Sequence, residues 1–168
     1  MSATVLARLQ EQFGAAILST HALHGDETAV VAPARLVEIC TFLRDDPQAR
    51  MTMLIDLTCV DTLGLDDREI GRFEMVYHLR SMTSGSRLRI KAVLDEGAAG
   101  EAPEIDSLSS LWKGANWFER EVFDMFGVRF RGHPDLRRIL MYEEFIGHPL
   151  RKDYPKEKRQ PLVRRDYT

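Results

Sequence analysis

Apolar and polar positions along the chain follow two rhythms, one of helices and one of strands. Val5, Leu6, Leu9 and Phe13 form one stripe, and Ser2 before them suits an N-cap, so a helix is predicted over Val5–Phe13. Ala16–Leu23 reads as a strand, His24-Gly25-Asp26-Glu27 as a turn, and Thr28–Val31 as the returning strand. Pro33 fits the first turn of a second helix reaching Arg44, with Leu36, Ile39, Cys40 and Leu43 inward. Asp45-Asp46-Pro47 ends it. Met51–Val60 is a strand, and Phe73–Ser81 with Arg87–Leu94 an antiparallel pair joined near Ser84-Gly85-Ser86. In the first of that pair Phe73, Met75, Tyr77 and Leu79 alternate with Glu74, Val76 and His78. Gly97–Pro103 is a polar loop, and Ile105–Trp112 reads as helical.

The stretch from Trp117 to Leu140 carries the densest pattern. Phe118, Val122, Met125 and Phe126 give a helix one apolar face, and Trp117, Glu121 and Asp124 share an adjacent, polar one. Gly127 stops the helix, Val128–Arg131 alternates like a short strand, and Gly132-His133-Pro134-Asp135 is a turn leading to Arg137 and Arg138. These elements predict an α+β fold in two layers, a mixed and mostly antiparallel sheet with helices packed on it, as one domain over residues 1–140. Residues 141–168 hold three prolines and few apolar anchors, and read as an extended basic arm lying on something else or disordered when alone. Within that region Gly147-His148-Pro149 echoes Gly132-His133-Pro134, each followed by Leu and two cations, which predicts two similar contacts.

Composition narrows the classes. A chain of 168 residues, 44% hydrophobic and 29% charged, is long enough for one real core. Its start reads as an amphipathic helix rather than a signal peptide, and no stretch approaches the roughly 20 apolar residues of a membrane span. The net charge of −3 hides an asymmetry, because residues 151–168 carry seven Lys/Arg against three Asp/Glu and residues 1–150 therefore carry −7. An acidic body with a basic tail argues against a nucleic-acid binder.

Candidate chemistry is sparse. GxGxxG, GxxxxGK[ST], HExxH and GxSxG motifs are absent, and two isolated cysteines, Cys40 and Cys59, cannot supply the four or so ligands of a cluster or zinc site. Glu121 and Asp124 are the best paired carboxylates, with His133 as a third ligand or acid/base group. The reading preferred here makes those acids ion-pair partners of Arg120, Arg129 or Arg131 at a surface or interface.

Longer strings carry a resemblance. WFEREVFDMFGVRFRGHPDLRRIL closely resembles the signature of the C-type subunit of proton-pumping NADH:quinone oxidoreductase, respiratory complex I. Leu57-Thr58-Cys59-Val60-Asp61, Arg72–Leu79 (RFEMVYHL), Ser110–Trp117 (SLWKGANW) and Gly147–Pro155 (GHPLRKDYP) are similar to further motifs of that family. The resemblance implies a subunit of the hydrophilic arm that binds no cofactor itself, FMN and iron–sulfur clusters lying in partner subunits. It implies partners in the quinone-site subunit (the D type) and the cluster-bearing subunits (the B and I types), on the cytoplasmic side of the bacterial inner membrane, with no nucleic acid involved. It assigns subunit docking and bracing of the signature loop to Trp117, Glu119, Arg120, Glu121, Asp124, Gly132, His133, Pro134, Asp135, Arg137, Arg138, His148 and Arg151. The corresponding subunit of a membrane-bound hydrogenase, or of a complex fed by another donor, is the alternative.

Overall fold

The computed structural model describes residues 2–65, 71–96 and 101–160; the Gly97–Gly100 part of the predicted loop and the end of the predicted arm, 161–168, lie outside these. In chain order the elements are α1 (Ser2–Phe13), β1 (Ile17–Leu23), β2 (Asp26–Val31), α2 (Leu36–Asp45), β3 (Met53–Asp61), β4 (Phe73–Arg80), β5 (Arg87–Leu94), β6 (Glu104–Asp106), α3 (Ala115–Phe126) and β7 (Arg129–Arg131). The strand order β1-β2-β5-β4-β3 shows the path. The first hairpin is followed by α2, which carries the chain to the far edge. Two antiparallel hairpin steps, β3 to β4 to β5, then return it until β5 lies parallel to β2. One parallel pairing in an otherwise antiparallel sheet makes it mixed, as the α+β reading expects.

The helices share one face of this sheet. Leu9, Leu36, Ile39, Leu43, Phe73, Met75, Tyr77 and Ile90 meet there with at most 2% exposure, and each such side chain contributes roughly 1.5–3 kcal/mol of burial. Cys40 and Cys59 are both free thiols within it, and burial pushes each up to about 12. The opposite face is covered by no helix among the described residues. There the expected alternation of β4 is incomplete, because Glu74 and Val76 are buried too; Lys91 on β5 donates to Glu74 at 2.7 Å and its stem shields the strand.

One element differs from the sequence reading. Residues 105–112 are not helical: β6 pairs in parallel with β7, Ile105 opposite Phe130, and turns follow. Ile105 and Leu108 are both buried, and that i, i+3 spacing mimics a helix. The serines decide otherwise. Ser107 Oγ accepts the Ser109 amide at 3.1 Å, offering the backbone a local alternative to helix.

Candidate functional site

Helix α3 and the segments bonded to it bring most of the singled-out residues together, although not as a surface polar face. Trp117 is 63% exposed and Glu121 also faces outward, while Asp124 is fully buried. The two acids therefore do not form a pair, which removes the carboxylate dyad. Two of the three cations expected to partner them, Arg120 and Arg131, are engaged elsewhere. Arg131 pairs with Asp106 at 2.9 Å, and Arg120 donates to the carbonyls of Arg137 and Arg138 at 3.1 Å each while lying over the Trp117 ring.

Asp124 is the centre of a loop clamp. Its Oδ2 accepts the backbone amides of Ile139, Leu140 and Met141 at 3.1, 2.8 and 2.8 Å, and its Oδ1 accepts Arg138 at 2.5 Å. Burial pushes this carboxyl up, but the amides and the guanidinium outweigh burial and hold it below the usual carboxylate range. Arg138 continues to the Gly147 carbonyl at 3.0 Å and stacks over Phe145.

The two His-Pro turns make the matching contacts that their echo predicts, and both contacts are to α3. His133 Nδ1 accepts the Asp135 amide at 3.0 Å, which leaves Nε2 to donate to the Asn116 carbonyl at 3.1 Å near the start of the helix. His148 Nδ1 donates to the Asp124 carbonyl at 2.9 Å near its end; burial, opposed only in part by that carbonyl, holds its pKa below the usual histidine value. Gly132 and Gly147 take the left-handed conformations that open the turns, with φ of +79° and +103°. Pro134 and Asp135 are exposed, and Asp135 pairs with the exposed Arg137 at 2.8 Å.

Glu119 lies on the inner side of α3 and is fully buried. It accepts Ser107 Oγ and the Leu108 amide, both at 2.6 Å, tying the helix to the turn after β6. His133 Nε2 is 3.9 Å away, beyond hydrogen-bond reach. With only two donors against full burial, the Glu119 carboxyl is pushed up to about 7.

A second hub forms where β3 ends. Asp61 accepts Arg72 through both oxygens at 3.1 and 3.0 Å, the Leu63 amide at 3.0 Å and the Lys152 amide at 2.8 Å. Its burial is outweighed by these donors, and its pKa lies below the usual range. Arg72 also reaches Asp153 at 2.8 Å, Arg151 pairs with Glu96, and the Arg72 and Arg151 guanidinium groups both lie about 5 Å from the Phe73 ring. Asp61 and Arg72 stand in the strings that carry the resemblance, but their partners are distant in sequence and no spacing announces the hub.

Residues 141–160 thus lie over this chain's own α3 and β3, where the sequence predicts an extended arm lying on something else or disordered when alone. The physical reason is helix α3's end: its last carbonyls lack helical donors, and the segment supplies them from His148 and from the Leu150 amide, which donates to Met125 O at 3.1 Å. Away from this region a cavity of about 370 Å3 on the open sheet face is lined by Asp56, His78, Arg80 and Arg89 among others. Among the described residues no group of three His, Cys, Asp or Glu side chains is placed to hold a metal ion, and no helix is long and apolar enough to cross a membrane.

A relative from Roseiflexus sp. (strain RS-1), the C-type subunit of an NADH-quinone oxidoreductase, is 49% identical over 154 residues, spanning 92% of this chain and 84% of its own length. The protein of the same name from Geobacter sulfurreducens is 45% identical over 148 residues, 88% of this chain and 86% of that one. Among solved structures, the trypsin-resistant fragment of Nqo5 superposes with a TM-score of 0.68 at 29% identity, over 79% of this chain and 97% of the fragment. A chain of the membrane-bound sulfane sulfur reductase, an archaeal respiratory membrane complex, shares the fold, with a TM-score of 0.71 at 18% identity over 98% of each chain. The family described as respiratory-chain NADH dehydrogenase, 30 Kd subunit, matches residues 29–160, and the chain belongs to it.

Proposed function

We propose that this chain is a structural subunit, with no cofactor and no catalytic residue of its own, of the peripheral arm of an NADH:quinone oxidoreductase. Electrons from NADH pass through FMN and iron–sulfur clusters held by partner subunits to quinone, coupled to proton translocation. The chain acts by position, against the D-type subunit of the quinone site and the cluster-bearing subunits of the B and I types, on the cytoplasmic side of the bacterial inner membrane and bound there through those partners.

One observation carries this reading. The buried ionisable groups of the signature are committed to internal bonds that fix a loop surface, and that surface presents Trp117, Leu140, Ile146 and Leu150, each more than half exposed, beside Arg137. Aromatic and aliphatic residues next to an arginine, on a framework braced from within, have the chemistry of a protein interface rather than of a reacting centre.

A tagged copy extracted in mild detergent should recover sister subunits that together hold flavin and iron–sulfur absorbance, and deletion of the chain should abolish NADH-dependent quinone reduction by membranes. A chain that recovers no partner, with quinone reduction intact after deletion, would overturn the proposal. The shared fold of the archaeal sulfane sulfur reductase chain supports a second reading, an equivalent subunit of a hydrogenase or other-donor complex. Recovery of hydrogenase subunits in place of flavin and NADH-binding ones would select it.

A further inference from the structure

At nine residues β3 is the longest strand of the sheet, and it lies at an edge. One side of its backbone pairs with β4 from Met53 opposite Arg80 to Asp61 opposite Phe73; on its other side no strand among the described residues meets it. Half of its N–H and C=O groups therefore point outward as a template for another strand.

Edges of this kind are ordinarily blunted by lysine, proline, bulges or short length. The sequence MLIDLTCVD holds no Lys, Arg or Pro, and its one irregularity, between Leu54 and Asp56, leaves Leu57–Asp61 regular. Three of its outward side chains are apolar, Met53 at 44% exposure, Ile55 at 38% and Val60 at 38%, with Asp56 and Thr58 half-buried between them, and Leu63 and Leu65 extend the strip past the strand's end. At the opposite edge β1 is two residues shorter and is also bulged, between Ile17 and Ser19, and it shows Ser19 and His21 as well as Leu18 and Leu23 to solvent.

The geometry selects the occupant. A row of unpaired backbone donors and acceptors is matched by an extended polypeptide and by neither lipid nor nucleic acid. Asp56 is the one carboxylate on the strand not engaged in the core, so the matching segment is apolar at alternate positions and free of acids, with room for a cation opposite Asp56. Two copies of β3 paired about the strand's centre would bring two Asp56 carboxylates close with no cation on either strand, which disfavours a second copy. The strand also ends at Asp61, the residue that holds the C-terminal segment through Lys152, so the edge runs on into the surface described above.

We propose that β3 is a docking edge on which an extended segment of a sister subunit adds as a further strand of the sheet, an inference that rests on the chain being a subunit of the complex. Hydrogen–deuterium exchange of the full chain alone and of the same chain in its tag-purified complex, read by mass spectrometry at fragment resolution, tests it. Alternate amides within 53–61 should exchange at least about tenfold more slowly in the complex. Val60→Lys, on an outward position, should lower recovery of partner subunits while leaving the melting temperature of the isolated chain unchanged. Unchanged exchange of those amides in an intact complex, or undiminished recovery with Val60→Lys, would overturn the docking edge and leave the subunit reading standing. Failure of the native chain to recover any partner would overturn the subunit reading itself. Concentration-dependent protection of β3 in the isolated chain, with a dimer forming, would overturn the choice of a sister subunit.

Discussion

A carboxylic acid sealed from water holds its proton longer than one in solution, and two acids on the same helix show how far hydrogen-bond donors can reverse that rule. Glu119 and Asp124 are equally buried. Glu119 meets two donors and is pushed up to about 7 by burial; Asp124 meets four and is held low despite burial. The folded chain therefore keeps a proton on Glu119 that the unfolded chain releases near its ordinary value of 4.5. The stability this supplies is fully present below about pH 4.5 and is lost as pH rises through about 7, a difference of roughly 3 kcal/mol. Glu119→Gln imitates the protonated acid, accepting from the Leu108 amide and donating to Ser107. Urea unfolding of both proteins from pH 5 to pH 8 should show the native-minus-variant difference falling with pH, and a constant difference would count against the buried proton. Asp124→Ala should cost about 3–5 kcal/mol at neutral pH, because it leaves Arg138 and three amides without their acceptor. The same unfolding experiment checks it, and a cost under about 1 kcal/mol would mean that water replaces the carboxylate.

At the scale of elements, α3 is finished by a segment that begins more than twenty residues after it, and Gly127 is the joint. Its φ of +80° places it in the left-handed region, and a Cβ built there would lie 2.7 Å from the His148 ring. Gly127→Ala thus meets two separate penalties, backbone strain and displacement of His148, together about 2 kcal/mol or more. Adding His148→Ala to that variant should recover the steric part alone, so a double-mutant cycle by thermal unfolding should give a favourable coupling. Strict additivity would show that the ring moves freely aside. The stop at Gly127 was legible in the sequence, as were the β1–β2 and β4–β5 hairpins and the inward faces of α1 and α2, because each rests on a local period or a single turn residue. Two features were not. Ile105 and Leu108 satisfy a helical spacing that Ser107 defeats through its own hydroxyl, and Asp124 looks like a surface acid until residues 138–141, folded back by a turn, bring it four donors. The alternation of hydrophobic residues records which way a side chain faces along one element. It does not record a loop that returns to cover a polar group, and the hubs at Asp124 and Asp61 are both of that kind.

The whole molecule is a sheet covered on one face, with polar hubs that fasten its C-terminal segment to the covered side and apolar residues left outward around them. Those outward residues add little to the stability of the isolated chain, since an exposed side chain loses little water-contact area on folding. In the proposed function their role lies in what they touch in an assembly, and this separates two kinds of variant that activity alone would confuse. A substitution at a hub, such as Asp124→Ala, should lower both stability and assembly, because the surface it braces is lost with it. A substitution on the outer surface should move one quantity and not the other. Ile146→Lys adds a charge at a position 61% exposed and breaks no side-chain bond, while the Ile146 backbone keeps its contacts with Gln160. Its unfolding free energy should stay within about 0.5 kcal/mol of the native chain. Recovery of partner subunits through the tag should fall by about tenfold or more if the side chain is desolvated in the interface, the cost of burying an unpaired ammonium there. Equal recovery at equal stability would place Ile146 in open water within the complex and remove it from the docking surface. A loss of stability matching the loss of recovery would instead make Ile146 part of the fold, and the division between inner hub and outer contact would fail at this position.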